Sequence, residues 1–246
     1  MQKQLFLASC LLLTLCAFSQ INVNDLFIGG ALGYEGQGEI TKPVNSNQTT
    51  DKYTSGTQGF SIIPRVGYFI KNNLAIGLSA SYTHTTEKYN TYLRDFPQVG
   101  TLTEKTHTTK TNHLSCAIFG RYVYQLTENF YISSTAFLGA GHGTSKTTIE
   151  YREQNSSNVD ILKNNLPKYS SVFFSLNPEI IYFPTKRIGL EASVGRIFHY
   201  GYIREISENF YGNEIESRRM YFDLFNVNSV KFTFGLNYYM SLIANK

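Results

Sequence analysis

The sequence predicts an all-β fold, an eight-stranded antiparallel up-and-down transmembrane β-barrel. Three observations lead to this prediction. Apolar residues alternate with small or polar residues along most segments, and short polar turns recur at nearly regular intervals. The chain is also rich in aromatic residues, with 18 Tyr and 18 Phe but no Trp, and it contains 19 Gly. Strands that cross a membrane as part of a barrel show this alternation between the lipid side and the interior.

The N-terminal segment predicts export from the cytoplasm. Lys3 precedes an apolar stretch that is too short to anchor the chain in a membrane. Ala17 and Ser19 are small residues at the −3 and −1 spacing of a signal peptidase site. We therefore predict that residues 1–19 are a signal peptide, cleaved near Ser19 after Sec-type export, and that residues 20–246 form a single outer-membrane β-barrel domain. One alternative stays open, because Leu7-Ala8-Ser9-Cys10 resembles a lipobox.

Charge and cysteine content exclude two other classes of protein. The formal net charge of +4 is too small over 246 residues to indicate a nucleic-acid-binding protein. Two of the three cysteines lie in the predicted signal peptide, so the mature chain keeps only Cys116. A single cysteine excludes the internally cross-linked type of small secreted domain.

Three short polar segments predict β-hairpin turns: Lys71-Asn72-Asn73, Thr127-Glu128-Asn129 and Thr185-Lys186-Arg187. Each lies between two apolar runs that are rich in aromatic residues. The intervals between the turns have room for two long strands and one longer polar connection, which gives four up-down pairs. We predict these outer connections at residues 42–56, 88–108, 150–168 and 203–219.

Alternation within the strands predicts which face meets lipid. In residues 60–82 one face is apolar, while the other carries mostly small residues together with Arg65. A water-facing strand surface would carry more Lys and Glu, whereas small residues suit the narrow interior of an eight-stranded barrel. We therefore predict that the apolar face is outside. Aromatic residues near the turns are then expected to form an interfacial girdle: Tyr68, Phe130, Tyr182, Phe183 and Tyr238.

The few charged residues of the inner face recur at similar distances from the turns. Arg65, Arg121 and Glu179 each lie seven residues before a turn centre, and Glu191 lies five after one. In tilted strands that spacing is a rise on the order of 13–18 Å, about the middle of an apolar band of roughly 25 Å. An Arg facing lipid at that depth costs about 2–4 kcal/mol. We predict a structural interior charge layer, with a gated proton or ion path as the alternative: Arg65, Arg121, Glu179, Glu191 and Lys231.

These features together resemble the small eight-stranded outer-membrane barrels, the family of OmpX and the barrel part of OmpA. The resemblance covers essentially the whole mature chain as an architecture. The segment "FTFGLNYYM" at 232–240 resembles the closing strand that the barrel-assembly machinery recognises, although "SLIANK" follows it in place of a terminal Phe. The resemblance implies location in the outer membrane, short periplasmic turns and long outer loops.

The sequence contains no motif for catalysis or cofactor binding. G-x-S-x-G, H-E-x-x-H and phosphate-binding loops are absent from it, and its five histidines do not have the spacing of metal ligands. We therefore predict a non-enzymatic protein with no cofactor and no metal. Its role would be structural or interactive, in envelope integrity, adhesion, or an assembly or secretion system.

The predicted partners follow from location and from the outer loops. We expect a monomer that contacts outer-membrane lipid and lipopolysaccharide, meets the barrel-assembly machinery during insertion, does not bind nucleic acid, and presents loop residues to a possible surface ligand. The aromatic and basic loop candidates are Tyr89, Tyr92, Arg94, Phe96, Arg152, Arg204, Tyr211, Arg218 and Arg219. Three alternatives remain: a narrow passive porin-like pore, a secreted soluble lipocalin-like carrier with the apolar face inward, and a barrel enzyme such as an acyltransferase or protease.

Overall fold

The structure is a computed structural model of the chain and describes ten β-strands. The described residues are 21, 23–46, 49–94, 102–153, 159–208, 214–224 and 230–241. The strands are β1 Asp25–Ser46, β2 Thr49–Lys71, β3 Leu74–Arg94, β4 Leu102–Gln125, β5 Phe130–Glu153, β6 Val159–Tyr182, β7 Ile188–Val194, β8 Phe198–Glu208, β9 Glu214–Leu224 and β10 Val230–Ser241. The predicted signal peptide lies outside the described residues. Among those residues, no helix is long and apolar enough to cross a membrane.

Eight of these strands close into a hydrogen-bonded antiparallel ring, which confirms the predicted fold class. The ring runs β1-β2-β3-β4-β5-β6-β7-β10 and returns to β1. The closing pair extends from Asp25↔Ser241 to Gly36↔Val230. A closed ring leaves no unpaired strand edge within this part of the wall, as a membrane requires.

The strands β8 and β9 form a hairpin that extends the barrel wall past the ends of β7 and β10, away from the predicted turns. Both β7 and β8 pair with β6, and β9 pairs with β8. The two segments β7 and β8 are separated at Gly195, whose φ of 75° is a left-handed conformation that favours glycine. The seventh wall strand is therefore one path with a local break.

The predicted turns lie where strands meet at one end of the barrel, which we call the turn end; the opposite end is the outer end. The predicted outer connections are wrong for most of their length, because β1 runs to Ser46 and β2 begins at Thr49. The same holds at the other outer connections, where the flanking strands extend into the polar segments. Threonine favours strand geometry, and cross-strand hydroxyl pairs such as Thr109–Thr147 at 2.8 Å add stability.

The two faces of the wall have the predicted orientation. Outward apolar side chains are widely exposed, for example Leu78 at 60% and Phe234 at 66%. On β4 the outward apolar residues extend from Leu114 to Tyr124, which corresponds to a band of about 25 Å for a strand tilted near 40°. That height matches the hydrocarbon thickness that outer-membrane barrels span.

The aromatic girdle at the turn end contains four of the five predicted residues. Phe130 and Tyr238 are exposed, and Tyr68 and Tyr182 are half-buried on the outer face. Phe183 is a wrong prediction, because it is only 1% exposed and lies inside the barrel. It follows Tyr182 on the alternating path and therefore has the inward orientation of Ile181, which is also fully buried.

Candidate functional site

Four charged side chains meet inside the barrel. Arg65 Nη1 donates to Glu179 Oε1 at 2.9 Å and lies 3.3 Å from Glu191 Oε2. Arg121 Nη2 donates to Glu179 Oε2 at 2.9 Å, and Arg121 Nη1 pairs with Glu191 Oε1. All four residues are at most 6% exposed. We call this closed set of two positive and two negative charges the charged layer.

Neighbouring hydroxyl and aromatic groups complete the coordination of the charged layer. Ser133 and Thr135 donate hydrogen bonds to Glu179 at 3.2 and 2.9 Å, and Arg121 Nε donates to Thr135 Oγ1 at 3.1 Å. The Arg121 guanidinium also lies 5.1 Å from the ring centre of Phe27. Buried charges are tolerated when each is paired and its remaining hydrogen-bonding groups are used, as most are here.

Small residues on adjacent strands make room for these long side chains. Arg65 lies opposite Gly29 on β1, and Glu191 lies opposite Gly235 on β10. A Cβ at Gly29 would be 2.2 Å from Asn237 Oδ1 and from the backbone oxygen of Leu236. The inner wall therefore has no spare volume at this level.

Lys231, the fifth residue predicted in this layer, has a side chain outside the described part of the structure. Its backbone pairs with Glu35, whereas Gly235 is the β10 residue that pairs with Glu191. Lys231 thus lies four residues toward the outer end from the row of Glu191, and on the same face as Glu35.

Below the charged layer, toward the turn end, aromatic side chains fill the lumen. The Phe27 ring centre is 5.8 Å from Phe69, 6.0 Å from Phe119 and 5.5 Å from Tyr239. We call the buried aromatic residues on this side the aromatic floor: Phe27, Phe69, Tyr131, Phe183 and Tyr239. Phe119 and Phe137 belong to the same cluster but lie two residues nearer the outer end than Arg121 and its strand partner Thr135. The sequence analysis did not predict that these aromatic residues pack together.

Above the charged layer the lumen holds a polar cavity of about 310 Å³. Its walls carry many Ser and Thr hydroxyls, together with His113 and His199 and the rings of Tyr169 and Tyr221. His113 Nε2 lies 3.2 Å from Ser171 Oγ. Within the described part of the chain, no group of three potential metal-binding side chains comes together.

The β8–β9 hairpin carries exposed ion pairs near the outer end. Arg204 and Arg218 both pair with Glu216, at 2.9 and 2.6 Å, and Arg219 pairs with Glu205 at 2.6 Å. Hydrogen bonds from Arg204 and then Arg218 lower the pKa of Glu216 to about 2. Three of the predicted loop arginines are therefore held on a strand pair.

The other loop candidates have varied positions. Tyr89 stacks on His107 with ring centres 4.2 Å apart. Arg152 lies on β5, and Tyr92 and Arg94 lie on β3. Phe96 and Tyr211 lie outside the described residues.

Comparisons with known proteins give structural likeness only. No protein-family model matches the chain, and no curated relative matches it in sequence. The outer membrane protein OprG from Pseudomonas aeruginosa is similar in structure, with 11% identity, 91% of this chain and 99% of OprG covered, and a TM-score of 0.41. Ail, the attachment invasion locus protein of Yersinia pestis, has 13% identity, coverages of 89% and 99%, and a TM-score of 0.33. Neisserial surface protein A has 13% identity, coverages of 87% and 96%, and a TM-score of 0.33.

The closed eight-stranded ring, the apolar outer band and the buried interior charges define the class of protein. The chain is a transmembrane β-barrel protein of the outer-membrane type. The sequence-based resemblance to small eight-stranded outer-membrane barrels is thereby confirmed at the level of fold.

Proposed function

We propose that the protein is a non-enzymatic barrel that closes its lumen and presents an extended β-sheet surface outside the membrane, in a structural or surface-interaction role. The observation that carries this proposal is the double closure of the lumen. The charged layer crosses the interior with side chains at most 6% exposed, and the aromatic floor lies directly beneath it. Ions could pass through the barrel only if both the charged layer and the aromatic floor opened.

The wall beyond the apolar band supports the interaction part of the proposal. On β4 the outward apolar residues end at Leu114, but the strand begins at Leu102. Those twelve positions rise on the order of 30 Å at the same tilt. Rigid strands project the polar and aromatic residues of this region far from the membrane, where a surface ligand or lipopolysaccharide can contact them.

Location and biogenesis belong to the same proposal. We infer cleavage near Ser19 after Sec-type export, insertion by the barrel-assembly machinery, and a monomer surrounded by lipid and lipopolysaccharide. The end of β10, within residues 232–240, carries the alternating apolar and aromatic pattern expected of the strand presented to that machinery.

Two measurements test the closed lumen and separate it from a porin-like pore. The full mature chain in planar bilayers should show no single-channel steps, with a large general porin as the positive control. Discrete conductance that falls when Glu179→Gln is introduced would refute the proposal and support the pore. Recovery of the protein in detergent-free extract would instead support the lipocalin-like carrier.

The surface role needs a separate experiment in cells. A deletion strain is complemented with the full chain or with a variant in which residues 204–219 are replaced by Asn-Gly. Heat-modifiable gel mobility confirms that both barrels fold. If only the full chain restores resistance to bile salts, the outer extension carries the function. If both restore it, the barrel alone suffices and the interaction role is refuted.

A further inference from the structure

The polar cavity above the charged layer has the features of a small-molecule site. Its volume of about 310 Å³ lies at the low end of such sites, which span roughly 300–1,000 Å³. The charged layer bounds it toward the turn end, since Arg65 is one of its lining residues. The cavity is therefore a chamber closed below, of a size that holds one sugar-sized molecule.

One guanidinium in this chamber is available to bind an anion. Arg196 lies at the break between β7 and β8 and lines the cavity. Among the described residues, no ion pair involves Arg196. Its Nη1 donates to His199 Nε2 at 3.1 Å, and a guanidinium can only donate. His199 is therefore assigned as neutral, with Nε2 as the acceptor.

Tyr221 fixes this arrangement from the β9 side. Its hydroxyl lies 2.8 Å from the same His199 Nε2, so the single lone pair of that nitrogen is shared between Arg196 and Tyr221. The imidazole is only 7% exposed. A buried imidazole and a phenol thus position one edge of the Arg196 guanidinium, while its other N–H groups remain to bind a carboxylate.

Unpartnered buried groups at the base of the chamber give a second, independent indication of a ligand. Arg65 is 5% exposed, and its Nε has no hydrogen-bond partner. Asn177 Oδ1 is also buried without a partner, and both residues line the cavity. Such groups are normally satisfied by a ligand or by ordered water. A hydroxyl group can accept from the first and donate to the second.

The remaining lining favours a hydroxylated ligand over an apolar one. Ser79, Ser115 and Ser175 contribute hydroxyls, and Phe173 contributes an aromatic surface. Glu35 is the acidic residue among the described lining residues. Of the two lining arginines, Arg65 is already paired with Glu179 and Glu191, so Arg196 remains as the cation that selects the ligand.

We infer that this chamber binds a small hydroxylated carboxylate of the sugar-acid class, with the carboxylate on Arg196 and ligand hydroxyls on the Ser-lined wall and the base. The inference goes beyond the proposed function, since a closed barrel with a surface role does not require a ligand in its lumen.

The test is calorimetric titration of the full mature chain in detergent micelles. The probes are glucuronate, neutral glucose and cationic glucosamine at equal ionic strength. Glucuronate should bind at least tenfold more tightly than either of the others. Arg196→Gln should weaken glucuronate binding at least tenfold, and Arg196→Lys should recover part of it. Arg187→Gln, which changes an exposed turn arginine, is the matched control and should bind as the parent does.

A second measurement tests whether the ligand binds inside the cavity, and it does not depend on a measured affinity. Glucuronate should shift the NMR signals of the His199 ring and the Tyr221 ring, and should leave the ring signals of His107 unchanged. Absence of glucuronate binding at millimolar concentration overturns the inference. So does equal binding of glucose, or unchanged binding by a folded Arg196→Gln protein, because the ligand carboxylate would then not be held by Arg196.

Discussion

Removing Arg121 from the charged layer should be among the most damaging single changes in this barrel. The side chain is 0% exposed and donates to both Glu179 and Glu191 as well as to Thr135. Arg121→Leu keeps most of the volume but leaves two buried carboxylates facing the single charge of Arg65. Breaking a buried ion pair by removing one partner costs about 3–5 kcal/mol. We expect a loss of that size in the free energy of unfolding.

A second substitution in the same layer tests whether charge balance is the cause. Adding Glu191→Gln to Arg121→Leu restores one positive and one negative charge, so the double variant should be more stable than Arg121→Leu alone by about 1–3 kcal/mol. A recovery of stability in the double variant would show that the two residues are energetically coupled. Arg187→Leu, at an exposed turn position, is the matched control and should change stability by less than about 1 kcal/mol.

The assay is reversible urea unfolding in lipid vesicles. Because the chain has no Trp, unfolding is followed by far-ultraviolet circular dichroism and by heat-modifiable gel mobility. A loss below about 1 kcal/mol for Arg121→Leu, or a double variant that is less stable than the single one, would refute the reasoning that the layer acts as a balanced unit.

Two further predictions concern the wall and the outer hairpin. Gly77→Val should prevent folding, because a Cβ there would lie 2.2 Å from the backbone oxygen of Val66, whereas Gly120→Val, where nothing lies within 4 Å, should fold and show normal heat-modifiable mobility. Lowering pH should leave Glu216 ionised well below its ordinary pKa of 4.5, since its folded pKa is about 2. Any stability from its two ion pairs is thus present above 4.5 and lost as pH falls toward 2, and an NMR titration midpoint near 4.5 would contradict this.

The interior charges were predictable from sequence because two simple periodicities combine. Alternation assigns Arg65 and Arg121 to the face of small residues, and equal distance from a turn assigns them to one depth. The partners follow from charge balance, since Glu179 and Glu191 lie on the same face at similar distances from a turn. Which oxygen meets which nitrogen depends on register around the ring, and no local pattern specifies that.

Two other features, the inward orientation of Phe183 and the length of the outer strands, depend on contacts between distant strands. The sequence analysis did not predict them. Phe183 was assigned to the girdle from its position beside a turn, but alternation continues through the strand end and turns the ring inward. The sequence predicts the polar outer segments as connections, because polarity is typical of loops. Paired strands satisfy their backbone groups on each other, so polar threonine-rich segments continue as sheet without an apolar face.

The polar cavity was not predicted either, for a related reason. Its histidines come from β4 and β8, and its guanidinium comes from the break at Gly195. In a linear sequence, His113 and His199 are isolated residues of no recognisable spacing. Only closure of the ring brings them into one chamber.

The pairing of Arg65 with Glu179 and Glu191 joins positions 114 and 126 residues apart in the chain. The first hairpin therefore carries a cation whose counter-ions belong to the sixth and seventh wall strands. A chain halted midway through insertion holds that cation without neutralisation, and only the complete cylinder relieves it. Assembly of this protein is consequently expected to be all-or-none.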